Sequence, residues 1–143
     1  MSSLQERLKN LQKIGQIKAE PPDQAEFHGL VKSAKEKLPD AEKIGLSAGS
    51  SFLLAYRAAR SLSLAALRWH GYRPSNRIVV FQLLGDTLSF PTSKWRFLEN
   101  CHHKRNVAEY EGDDVDDESL IRELIAVTKE LQTAVEALGP IRV

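Results

Sequence analysis

The stretch KRNVAEYEG, residues 104–112, brings an arginine, an asparagine and a tyrosine together just ahead of a glycine and a dense acidic patch. Arg105 carries a planar fork of donors that matches the oxygens of a phosphodiester. Asn106 can orient a hydroxyl, and Tyr110 can donate a proton or stack on a base. In an ideal helix Asn106 and Tyr110, four apart, share a face, whereas Arg105 and Tyr110 project about 140 degrees apart. Long side chains could still flank one pocket. The same residues have a second, purely structural use, with Arg105 paired to Glu109 at i, i+4 for roughly a few tenths of a kcal/mol and the Tyr110 ring packed on the core edge. The residues alone leave both uses open.

Other chemistries find no foothold. No glycine-rich segment precedes Lys and Ser/Thr at phosphate-loop spacing, and no dinucleotide fingerprint is present. Cys101, His102 and His103 are consecutive, so on one helix they diverge by about 100 degrees each and cannot converge on an ion. The acidic run from Glu109 to Glu118 lacks the alternating ligands and central glycine of a calcium loop and reads as a solvated helix start. No metal and no cofactor is expected. Cys101, the single cysteine, forms no intrachain disulfide and reads as a half-buried packing residue.

The elements that must position these side chains are helical almost throughout. Leu4, Leu8, Leu11 and Ile14 form one apolar stripe ending at Gly15, and Pro21 and Pro22 break the chain. Phe27, Leu30, Ala34, Leu38 and Ala41 line one face of a second helix, with Pro39 predicted to kink or end it near Leu38. Ser47 is a plausible cap for the longest helix, which runs to His70 and closes at Gly71. Its many alanines suit a central element packed on more than one side. RPSNR, residues 73–77, reads as a turn. IVVFQLL, residues 78–84, is expected to be a short buried helix, since no second strand candidate is evident to pair with it. Thr92 or Ser93 is the expected cap of a fifth helix through Tyr110, with Trp95, Leu98, Cys101 and Ala108 inward and Gly112 as its stop. A last helix begins in DDVDDES, and its seam is Leu120, Leu124, Val127, Leu131, Ala134 and Leu138. The expectation is an all-α fold, an antiparallel up-and-down helical bundle of four main helices plus two short ones, with residues 1–143 as a single domain.

Composition sets the class. With 42% hydrophobic and 27% charged residues and no apolar run near the roughly 18 residues of a membrane span, the chain reads as soluble. Its first residues lack the continuous apolar centre of a secretory leader, so a cytoplasmic location is expected. The net charge of +1 conceals an asymmetry: residues 47–110 hold nine Lys/Arg against three Asp/Glu, and residues 111–143 hold three against nine. The two segments could neutralise each other as neighbours, or the middle one could face a polyanion.

An arginine followed by a polar residue and, after three more positions, an aromatic, in the penultimate helix of an all-helical domain, resembles the signature region of the HEPN superfamily. The segment LPDAEKIGLSAGSSFLLAYRAARSLSLAALRWHGYRP is similar to a bacterial HEPN pattern, and the similarity covers about residues 25–138. The resemblance implies an up-and-down bundle, a homodimer whose motif helices meet at a cleft, and a metal-independent endoribonuclease of toxin–antitoxin or phage-defence type where the member is active. Arg105, Asn106 and Tyr110 would then be the catalytic positions, with Tyr110 in the place of the family's histidine. Tyrosine, with a reference pKa of about 10, is a poor base near neutral pH, which puts enzymatic status in question; His102 or His103 could stand in. RNA would be held by Arg57, Arg60 and Lys104, with Arg68, Arg73, Arg77, Tyr56, Trp69 and Tyr72 as further basic and aromatic partners. Each has a plainer use: Arg57 and Arg60 neutralising the acidic tail, Trp69 in the core or an interface, His70 capping its helix, His28 at the solvent edge. The alternative to an RNA-directed protein is a non-enzymatic dimerisation or interaction module that docks on a partner such as a nucleotidyltransferase.

Overall fold

A computed structural model of the chain describes residues 3–76 and 79–141. Arg77 and Ile78, assigned above to the turn and to the short helix, lie outside the described residues. The fold is an all-α helical bundle. Its long helices are α2 (Gln24–Ala41), α3 (Ala48–Trp69), α6 (Thr92–Glu111) and α7 (Glu118–Glu136), joined by the shorter α1 (Leu4–Lys13) and the single turns α4 (Val79–Gln82) and α5 (Leu84–Thr87).

α3 is the central element. Ala55, Ala58, Ala59, Ala65 and Ala66 are all fully buried, and these small side chains let α2 and α7 approach its backbone on more than one side. Ser47 caps it by accepting from the Ser50 amide. The face of α2 is as expected, with Phe27, Ala34, Leu38 and Ala41 buried. The seam of α7 keeps the expected Leu124, Val127 and Leu131 and adds Ile121, Thr128 and Val135, while Leu120, Ala134 and Leu138 sit at its margin.

Four local expectations are corrected. Pro39 does not end α2, which continues to Ala41; the proline sits in the last turn, where its missing N–H removes a single bond, and the Glu42 amide closes the helix on Pro39 O at 3.1 Å. The N-cap of α6 is Pro91, not Thr92 or Ser93, and no side chain caps that end; Pro91 O accepts from the Lys94 and Trp95 amides. Residues 79–84 of IVVFQLL feed two separate turns, α4 and α5, in place of one helix. A small antiparallel sheet also exists, β1 (Ile17–Ala19) against β2 (Tyr72–Pro74), with Lys18 opposite Arg73. At three residues each, these strands are too short to leave an alternation in the sequence.

The sheet is fastened by a buried charge. Arg68 on α3 is 2% exposed, and its guanidinium donates from Nε to Glu26 Oε1 (2.5 Å), from Nη1 to the carbonyls of Glu20 (3.0 Å) and Tyr72 (3.3 Å), and from Nη2 to Pro21 O (2.7 Å). Arg73 on β2 donates from Nε to Glu20 Oε2 (2.8 Å) and from Nη2 to Glu26 Oε2 (2.7 Å). A guanidinium survives burial only when paired and hydrogen-bonded. Here that condition ties α3, the start of α2, the diproline segment and β2 together. A satellite core of Leu8, Ile17, Leu67 and Leu83 holds α1 beneath the sheet.

Candidate functional site

α6 presents to the core only Leu98, Cys101 and His102 as buried side chains. His102 is therefore the point at which a polar group enters the interior, and its surroundings are aromatic: Tyr56 and Phe81 lie with ring centroids 6.0 Å from it, and Phe52 stacks on Tyr56 at 6.0 Å. Tyr56 Oη lies 2.5 Å from His102 Nδ1. On the other side of the ring, Asn106 Nδ2 donates to His102 Nε2 at 3.2 Å, and Asn106 Oδ1 accepts from Arg105 Nη1 at 3.3 Å. With Nε2 accepting, the proton of a neutral ring sits on Nδ1, directed at Tyr56. The same Arg105 Nη1 lies 3.4 Å from Glu109 Oε2, and the guanidinium rests 5.6 Å from the centroid of the Tyr56 ring. The arrangement is one continuous polar chain, Glu109–Arg105–Asn106–His102–Tyr56, running from the surface into the core.

Arg105 and Asn106 are thus brought together. Tyr110 is not: it is 93% exposed and packs on no core edge. The helical pair that matters is His102–Asn106, four apart, in place of Asn106–Tyr110. His102 carried a sequence signal in that spacing. Tyr56, 46 residues away on α3, carried none beyond being aromatic in a basic segment.

Beside Arg105 lies a cavity of about 170 Å³ with walls from Phe52, Leu53, Ala108 and Val115 and a polar lining of Arg105, Glu109, Asp113 and Asp114. Three carboxylates face one guanidinium there, so the local field disfavours an anion. Asp114 seals one edge by lying over Gly49 in the first turn of α3; a Cβ on Gly49 would come within 2.9 Å of Asp114 Cβ and Cγ. Gly112, with φ of 68°, ends α6 in the left-handed conformation that starts this acidic loop.

No protein-family model matches the sequence, and neither a curated protein nor a solved structure is significantly similar to it.

The basic residues divide sharply. Arg68 and Arg73, grouped above with RNA partners, are committed to Glu20 and Glu26. Arg57, Arg60 and Lys104 take part in no ion pair among the described residues; Arg57 and Lys104 are exposed, and Arg60 is half-buried with an Nε that has no partner among them. Trp69 donates to Gly139 O at 3.1 Å and packs edge-on against His70, whose Nε2 reaches Thr87 O at 3.1 Å. Burial pushes the His70 pKa down and the Cys101 thiol up to about 12. Cys101 is wholly buried, deeper than the half-buried place expected of it. Among the described residues no group of three or more His, Cys, Asp or Glu is placed to hold a metal ion, and no helix is long and apolar enough to cross a membrane.

Proposed function

We propose that the chain is a HEPN-like interaction module that docks on a protein partner and performs no RNA cleavage. The observation that carries this reading is that Arg105 and His102 are already engaged within the fold: Arg105 Nη1 is shared by Glu109 and Asn106 with the guanidinium over the Tyr56 ring, and both nitrogens of His102 are engaged by Tyr56 and Asn106. A nuclease needs a cation open to the phosphodiester and a base within reach of the attacking hydroxyl. Here the guanidinium opens onto carboxylates, and the buried imidazole is 5% exposed. Leu53, Val107 and Tyr110 lie exposed on the two helices that carry the polar chain, the kind of apolar and aromatic surface that anchors protein partners.

The test incubates the protein at micromolar concentration with single-stranded RNA, alongside Arg105→Ala. The expected result is intact RNA in both, with Arg105→Ala lowering the melting temperature because the polar chain loses the link between Glu109 and Asn106. RNA cleaved by the native chain and spared by a folded Arg105→Ala would refute the reading.

A second reading, an RNA-directed protein, is favoured by one observation: Arg57 and Lys104 are exposed cations without an ion-pair partner among the described residues. RNA binding through them would weaken steeply with salt, by roughly 0.7 in log affinity per log salt for each phosphate contacted, and Arg57→Gln with Lys104→Gln would flatten that slope.

A further inference from the structure

His102 is held in a way that suits its neutral ring. It is 5% exposed between Tyr56 and Phe81, its Nδ1 lies 2.5 Å from Tyr56 Oη, and its Nε2 accepts from Asn106 Nδ2 at 3.2 Å. The amide is itself fixed, because Asn106 Oδ1 accepts from Arg105 Nη1 at 3.3 Å. A protonated imidazole carries an N–H on both nitrogens. On Nε2 that N–H would face the N–H groups of Asn106, donor against donor. Turning the amide to offer Oδ1 to the ring would aim its N–H groups at the guanidinium instead. Either way one link between Arg105 and His102 is lost, and a second positive charge enters a nearly closed site one side chain from the first. Around the ring, α3 presents the Tyr56 hydroxyl, with Arg60 one turn along, and α4 presents the uncharged Phe81. On α6 itself Glu99 accepts from Gln82 at 2.6 Å, and Glu109 is engaged by Arg105. Glu123 of α7 acts on the neighbouring Cys101, and Asp86 of α5 is paired with Arg7 at 2.7 Å. At ordinary values of roughly 4 for carboxyls, 10 for tyrosine and above 12 for arginine, none of these changes charge between about pH 5.5 and 7.5.

We propose that His102 makes the second half of α6 a pH-sensitive element: a proton on Nε2 breaks the chain from Arg105 through Asn106 to the ring and releases residues 103–111, with Val107 and Tyr110 on them, from α3. The segment has few other attachments, since beyond His102 no residue of the helix is buried and only Arg105 and Ala108 are half-buried. The sign follows from the hydrogen bonds. The released ring takes up a proton that the docked ring resists, so docking is complete above the ordinary histidine value of about 6.5 and weakens by about tenfold per pH unit below it. Near neutral pH, α6 displays Val107 and Tyr110 on an ordered helix; in mild acid that order is withdrawn. The device needs no partner, so it stands or falls separately from the function proposed above.

The test is amide hydrogen exchange of the full chain, followed residue by residue by NMR at about pH 7.5, 6.5 and 5.5 and corrected for the intrinsic pH dependence of exchange. Protection of residues 103–111 is expected to fall by about tenfold between pH 6.5 and 5.5, while residues 94–101 of the same helix keep theirs. Asn106→Asp sets a carboxylate against Nε2, where it accepts from the imidazolium, so the fall should vanish or reverse; Asn106 is exposed, and the exchange leaves the fold intact. His103→Gln removes the exposed histidine next door and should leave the fall as it is. Protection of 103–111 that is flat across the range, a fall shared equally by all the long helices, a fall that persists in Asn106→Asp, or one abolished by His103→Gln would each overturn the assignment to His102.

Discussion

Replacing Arg68 with methionine separates the two uses a basic residue in this chain can have. The methionine keeps much of the aliphatic stem but removes a guanidinium that donates to Glu26 and to three backbone carbonyls, those of Glu20, Pro21 and Tyr72. Glu26 retains Arg73, so its charge is not left wholly uncompensated. The three carbonyls lose this donor in a region where the side chain that served them is 2% exposed. Breaking a buried pair by removing one partner costs about 3–5 kcal/mol, and each buried acceptor left without a donor contributes about 1–3 kcal/mol of that. Water entering beside Glu20, and relief from burying a charge, offset part, so about 3 kcal/mol is the expected loss. Against a total stability of about 5–15 kcal/mol for a domain of this kind, that is a large fraction. Urea unfolding followed by far-ultraviolet circular dichroism reads it as a lower midpoint with an unchanged slope. A change below about 1 kcal/mol would refute the assignment of Arg68 to the fold, as would RNA affinity lost at unchanged stability.

The same network sets an acid limit. Hydrogen bonds from Arg73 to Glu20, and from Arg68 and then Arg73 to Glu26, hold both carboxyls below their ordinary 4.5. The unfolded chain therefore takes up protons first; the stabilisation is complete above about pH 4.5 and is lost as pH falls through the lower folded values. The melting temperature should drop through that window, and less steeply in Glu26→Gln; equal slopes in the two proteins would count against the coupling. Cys101, with its thiol raised to about 12 by burial, should resist a thiol reagent at pH 8 in the folded chain and react fully in denaturant; rapid labelling of the native protein would contradict its position. Gly49→Ala should cost about 1–3 kcal/mol in urea unfolding, because the new Cβ meets Asp114 Cβ and Cγ at 2.9 Å and the acidic loop must shift. An unchanged midpoint would show that the loop does not rest there.

α2, α3 and α7 were legible because each repeats its apolar positions over many turns, and caps or breakers mark the ends: Ser47 and Gly71 around α3, Gly112 after α6, Asp117 before α7. What was not legible depended on contacts distant in sequence. The strands Ile17–Ala19 and Tyr72–Pro74 exist because they pair with each other across more than 50 residues, and three residues cannot display a period of two. The fate of Arg68 and Arg73 turned on Glu20 and Glu26, more than 40 residues away, which no count of charge by segment could connect to them. At the candidate site the i, i+4 pair of Arg105 and Glu109 was readable from spacing alone. The turn of Asn106 toward His102 was not, because it required Tyr56 to be waiting on α3.

The deeper lesson of α6 lies in how little holds it. After His102 no residue of the helix is buried, and only Arg105 and Ala108 are even half-buried. A helix of 20 residues whose second half offers the core no large apolar side chain must be fastened in another way, since packing of an apolar face supplies most helical stability in proteins. The fastening is polar: the guanidinium over the Tyr56 ring, the imidazole on the Tyr56 hydroxyl, Asn106 bridging the two, and Asp114 beyond the helix end lying on Gly49. An arginine that holds down its own helix is not at liberty to swing toward a phosphate without loosening that helix. On this view the arginine and the polar residue after it serve to anchor the surface on which Val107 and Tyr110 are displayed. Chemistry at these positions would first have to release them.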